Sequence, residues 1–226
     1  MRRLIFLLIF GLGGAAILIS LGVWQVQRLG WKQDLLSRIE SSIAADPVPL
    51  QQAVAPEFQR YQAVTMTGRF DGEALHVLAS RKTTGAVYRI IRPFEVDGFG
   101  RVLVDTGWIR DGVPVPEAPN GPLQMIGNLD APNEVDGFTP APDISGNVWF
   151  ARDVPYMAEV LDTRPILVVL REMPQTDLGV TPWPVDTAGI PNDHLQYAVT
   201  WFSLALIWVA MTAYFLTRRP PKEPQA

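Results

Sequence analysis

Residues 191–210 read PNDHLQYAVTWFSLALIWVA, and from Leu195 to Leu216 no side chain carries a formal charge. At ~1.5 Å rise per residue, such a helix covers the ~30 Å hydrocarbon core of a bilayer. The opposite end of the chain repeats the pattern, with an uncharged apolar run from Leu4 to Trp24. Arg2 and Arg3 precede that run as in a signal peptide. The run is longer than the ~7–15 apolar residues of such a segment, and no small-x-small site follows, so it reads as a retained anchor.

The expectation is a membrane protein in which two transmembrane α-helices flank an extracytoplasmic α+β domain. Its divisions are 1–27 for the first helix, 28–193 for the domain with its connectors, 194–217 for the second helix and 218–226 for a basic tail. Arg2 and Arg3 at one end, with Arg218, Arg219 and Lys222 at the other, place both termini in the cytoplasm. Residues 25–194 hold 14 Lys and Arg against 22 Asp and Glu, a net −8, and so belong outside. That acidic middle offers no basic surface to nucleic acid. The chain has no cysteine, which excludes disulfides, thiolate nucleophiles and iron–sulfur clusters.

Within the domain, helical spacing continues past Trp24 to about Ile43 and stops at Asp46-Pro47-Val48-Pro49. Gln51 to Arg60 reads as a loop with a short helical turn. Tyr61 to Phe70 alternates as a strand, and Ala74–Ser80, Ala86–Val96 and Arg101–Ile109 follow, separated by Asp-Gly turns. Leu123–Leu129, Val148–Arg152 and Ile166–Arg171 are further strands, and Asp153 caps a short helix to Leu161. Short strands with tight turns and few helices predict an antiparallel sheet or partly closed barrel.

Chemistry narrows to few residues. There is no Gly-x-Ser-x-Gly elbow, and the two histidines, His76 and His194, lie far apart without motif partners. His76 reads as an ordinary strand residue. His194 stands at the entry of the second helix and admits two readings. One is a helix-entry residue beside Asn192 and Asp193, with Tyr197, Trp201 and Trp208 as an interfacial aromatic belt. The other is an axial haem ligand, because a neutral imidazole binds iron and one suffices. His194, Tyr197, Ala198, Trp201, Ala205 and Trp208 share one helical face. On the first helix Gly11, Ala15 and Gly22 form a small-residue stripe suited to close helix packing. Trp24, Arg28 and Lys32 follow at one-turn spacing; the two cations suit lipid headgroups or, with a haem between the helices, its propionates.

Four stretches together resemble the Surfeit locus protein 1 family: Gly22-Val-Trp-Gln-Val-Gln-Arg28 with Lys32; Tyr61-Gln-Ala-Val-Thr-Met-Thr-Gly68 with Phe70; Val102-Leu-Val-Asp-Thr-Gly-Trp-Ile109; and Pro191-Asn-Asp-His-Leu-Gln-Tyr-Ala-Val-Thr-Trp-Phe202. Their order and spacing cover nearly the whole chain. The resemblance implies a non-enzymatic assembly factor for haem–copper cytochrome c oxidase. Such a factor would take haem a from haem a synthase and assist its delivery to the oxidase catalytic subunit, in a bacterial inner membrane with the domain periplasmic. The family's haem-associated histidine corresponds to His194, which makes it the expected metal ligand. Tyr197, Trp201, Trp24, Arg28 and Lys32 are the expected cofactor surroundings. Asp105 and Asp193 depart from the family pattern, where asparagine is frequent at both positions. Two other readings stay open: a scaffold for the oxidase subunit that binds no haem, and a membrane-anchored extracytoplasmic enzyme.

Overall fold

The computed structural model describes residues 2–218, so Arg219 and Lys222 of the expected basic tail lie outside the described residues. The elements run α1 (Arg2–Ala44), β1 (Val48–Pro49), α2 (Leu50–Ala53), β2 (Ala63–Phe70), β3 (Leu75–Arg81), β4 (Gly85–Val96), β5 (Gly100–Arg110), β6 (Leu123–Asp130), β7 (Val148–Trp149), α3 (Val154–Leu161), β8 (Leu167–Glu172) and α4 (His194–Thr217). They form two compact units, a helix pair made by α1 and α4 and a sheet domain spanning Ile39–Thr187.

Both helices of the pair are long and apolar enough to cross a membrane, with mean hydropathies of 2.4 and 1.8 over their most apolar stretches. They run antiparallel, and their contact follows a seam of alternating three- and four-residue steps. On α1 the seam passes through Gly11, Ala15, Gly22 and Gln25, all buried; on α4, Ala198 and Ala205 are buried. Small residues on this seam let the two backbones approach closely. A Cβ on Gly14 would overlap the Trp208 ring, and one on Gly11 the Thr212 side chain. The Trp208 indole N–H donates to the Gly11 carbonyl at 2.9 Å, and its ring packs 5.5 Å from Phe10. The small-residue stripe expected from sequence is therefore the packing face of this pair.

The sheet domain has strand order β1-β2-β6-β8-β5-β4-β3-β7, and an extra β2–β4 pairing closes β2, β6, β8, β5 and β4 into a ring. Closure rests on Gly68. Its Cα faces the Glu95 backbone so tightly that any side chain would collide there. Alternation then sorts the residues of β5. Val102 and Val104 join Met66, Phe94, Met125 and Val168 in one core. Leu103, one residue out of phase, packs with Leu167, Trp149 and Met157 of α3 in a second. Asp153 caps α3 by accepting from the Tyr156 N–H at 3.2 Å, as the sequence predicts.

Three expectations need correction. Of the two sheet forms expected, the closed ring answers to the barrel, but its ladder is mixed rather than purely antiparallel, because β8 is parallel to β5, β1 to β2 and β7 to β3. The strand expected over Val148–Arg152 ends at Trp149: the Arg152 backbone N–H turns to Glu134 at 2.9 Å instead of a ladder partner. β2 begins at Ala63 rather than Tyr61, whose backbone takes a positive φ of 73°.

Candidate functional site

At the start of α4 the half-buried His194 lies with its Nδ1 2.8 Å from Gln25 Oε1 on α1. With the amide oxygen as acceptor, Nδ1 is the donor, and in the neutral imidazole the lone pair is then on Nε2. Among the described residues nothing hydrogen-bonds Nε2. Second partners of this kind fix the tautomer and ring orientation of metal-binding histidines. Asn192, two residues earlier, has a buried Oδ1 with no hydrogen-bond partner. Asp193 occupies the N-cap position of α4 without a side-chain capping bond, so the capping role expected for this pair is not the one they play. The site is thus built around a directed imidazole and an unfilled acceptor, at the end of a tightly packed helix pair.

The surrounding candidates divide by their place on the seam. Lys32 lies seven residues beyond Gln25 on the same helical face and is half-buried. Trp24 and Arg28 point off that face: Trp24 is half exposed, and the Arg28 guanidinium sits 4.4 Å over the Trp31 ring. On α4, Trp201 is half-buried while Tyr197 is 54% exposed. No group of three metal-ligating His, Cys, Asp or Glu side chains occurs among the described residues. A single imidazole is the donor set on offer, which fits an iron already held by a macrocycle and not a bare metal ion.

The sheet domain concentrates its buried charge elsewhere. Asp105 on β5 has no exposed surface and binds Arg89 at 2.6 Å. Arg152 approaches the same carboxylate at 3.7 Å, bonds Asp130 at 3.2 Å, and grips Glu134 at 2.6 Å. Burial pushes the Asp105 carboxyl above the usual range, against the pull of both arginines. Burial acts on Glu134 in the same sense, but its hydrogen bonds and charge contact with Arg152 prevail and hold it low. Arg89 also lies 4.4 Å beneath the Trp183 ring, and Arg81 stacks between Trp183 and Trp108. Next to Asp105, Gly107 takes φ +127°, and a side chain there would strike the Thr181 carbonyl. This cluster fastens the 176–187 connector to β5, with each charge met by a partner.

Comparison with known proteins fits both halves of the molecule. The SURF1 family model matches residues 12–206. The chain belongs to the SURF1 family. It is 31% identical over 208 residues to a SURF1-like protein of Drosophila melanogaster, covering 82% of this chain and 69% of that one. It is 28% identical over 214 residues to a SURF1-like protein of Rickettsia felis, covering 90% and 92%. Against Surfeit locus protein 1 of Xenopus tropicalis it is 28% identical over 230 residues, covering 88% and 71%.

In this SURF1-family chain, the motifs that carried the resemblance separate by role. Val102 to Ile109 builds the domain, with Asp105, Gly107 and Trp108 each holding a neighbouring segment. Gly22 to Arg28 and Pro191 to Phe202 build the helix pair. Gln25 lies inside the first of these and is the residue that reading for aromatics and cations passes over. His76, on β3, is paired with Ile90 and lies 6.0 Å from the Tyr88 ring. Burial and then the Arg92 charge lower its pKa, so it stays neutral within the sheet.

Proposed function

We propose that this protein is an assembly factor for haem–copper cytochrome c oxidase that holds haem a at the end of a membrane-spanning helix pair and assists its delivery to the catalytic subunit. One observation carries the reading: Gln25 engages one nitrogen of His194 and leaves the other free. Haem a, when bound, would supply an iron that takes a nitrogen donor and a broad apolar ring. His194 would hold it through Nε2, with Gln25 keeping the imidazole in the binding tautomer. Trp201 offers an apolar flank, and Lys32 a cation for the propionates. Tyr197, Trp24 and Arg28 line the outer margin. Supply from haem a synthase upstream and the oxidase subunit as recipient complete the reading, with the chain acting as a carrier and catalysing no reaction of its own. Both termini would face the cytoplasm and the sheet domain the periplasm, with α1 and α4 crossing the bacterial inner membrane.

Purified protein co-expressed with haem a synthase should show a Soret band. His194→Ala should lose or shift that band, yet insert and fold, while His76→Ala should leave it unchanged. Gln25→Leu should retain haem but weaken it roughly ten-fold, as loss of a metal ligand's second partner commonly does. Identical spectra for wild type and His194→Ala overturn the ligand assignment. A wild-type protein without a Soret band favours a scaffold that binds no cofactor.

A further inference from the structure

The segment between β6 and β8 carries a surface that the helix-pair site and the buried charge cluster leave unused. Two of its turns close on their own aspartates. Asp136 accepts from the Phe138 N–H at 2.8 Å and the Thr139 hydroxyl at 3.0 Å. Asp143 accepts from the Ser145 hydroxyl at 2.7 Å and the Gly146 N–H at 2.9 Å. Each turn presents a bare apolar side chain: Phe138 is 95% exposed and Ile144 50%. Beside Phe138 a pocket of about 200 Å³ is lined by Val135, Pro142, Phe150 and Tyr156 among others. Ile144 borders a second, of about 330 Å³. Buried Trp149 contributes to the lining of both.

Charge selects the occupant. Residues 131–166 hold six acidic side chains and two basic ones, Arg152 and Arg164, a net −4. Arg152 is already taken by Glu134 and Asp130. An anionic lipid surface or a second copy of this face would meet like charge. Aromatic anchors beside well-formed pockets are the usual centres of protein contacts, and turns already held by hydrogen bonds lose little freedom on binding. We infer that this face docks a segment of another polypeptide in which apolar residues are flanked by Lys and Arg, with Phe138 and Ile144 as the anchoring side chains.

The test uses the full chain in detergent micelles, isotope-labelled for NMR, titrated with the synthetic peptide KKLFPLKK and its charge-reversed twin EELFPLEE. KKLFPLKK should shift amide signals across residues 135–150 and weaken with added salt, while EELFPLEE leaves them in place. Phe138→Asp should reduce binding at least ten-fold without unfolding, since that ring touches almost nothing. Asp136→Asn keeps the turn's acceptor oxygen and removes only the charge, so it should weaken binding a few-fold. Equal response to both peptides, no response to either, or full binding by Phe138→Asp overturns the proposal. So does concentration-dependent dimerisation, or binding to phosphatidylglycerol vesicles, that Phe138→Asp abolishes.

Discussion

In the sheet domain the buried carboxylate of Asp105 meets Arg89, Arg152 and the Gly107 N–H, whereas in the helix pair the imidazole of His194 meets one amide oxygen. Both are polar groups withdrawn from water at the join of two chain segments. At Asp105 the carboxylate is met by two guanidinium groups and a backbone N–H, because an unpaired buried charge would cost several kcal/mol. In the helix pair one ring nitrogen and the Asn192 oxygen stay unanswered. The answered carboxylate holds structure together; an imidazole nitrogen with a free lone pair has capacity left for a ligand.

Removing Asp105 should therefore produce the largest effect. Asp105→Ala leaves Arg89 and Arg152 facing a buried space without their anion, a loss of about 3–5 kcal/mol. Thermal unfolding of the domain should move down accordingly, and haem binding should fall only in proportion to the unfolded fraction. If folded Asp105→Ala protein binds no haem under conditions where it is stable, the division between architecture and site fails.

A smaller effect should follow from Gly14→Leu in the helix pair. The new side chain overlaps the Trp208 ring, which is pinned by its hydrogen bond to Gly11 and its contact with Phe10. Overpacking of this kind costs about 1–3 kcal/mol. The expected result is weaker haem retention with an unchanged unfolding transition of the sheet domain. Gly22→Leu should act in the same direction but less, because the ring it meets, Phe202 at 2.7 Å, is 40% exposed and free to turn aside. Unchanged haem retention in both variants would mean that the seam does not shape the site.

How far the sequence discloses these features depends on the range of the interaction. Apolar periodicity is local, so both long helices, the strands β2 to β6 and the Asp153 cap are legible. Ring closure at Gly68 and the parallel placement of β8 depend on which distant backbone comes close, and alternation is the same for either strand direction. The site is legible in part. His194 stands out by its chemistry at a helix entry. Gln25 is hidden by its ordinary type, although the spacing of Gly11, Ala15 and Gly22, continued by three residues, reaches it. Reading for aromatics and cations selects Trp24 and Arg28, which lie off that seam.

The smallest effect tests the saturated side of the comparison by pH. Glu134 is held below the usual carboxylate range, since its bonds to Arg152 outweigh burial. The native state then binds fewer protons than the unfolded chain just below an ordinary glutamate pKa of ~4.3. Its stabilising contribution is full above that value and disappears as pH falls through the lower, folded one. Asp105 runs the other way. Raised by burial, it contributes stability below ~3.9 that is lost as pH rises through its folded value. Glu134 thus contributes to acid sensitivity and Asp105 offsets it. Glu134→Gln should cost under about 1 kcal/mol at pH 7, because its side chain is 38% exposed and the pair is partly screened. The gap between the urea midpoints of variant and wild type should narrow as pH falls below ~4.3, while the haem spectrum at pH 7 stays unaltered. A gap that does not change with pH would show that Glu134 acts through packing rather than charge, and its pairing with Arg152 would no longer be the electrostatic counterpart of the open histidine.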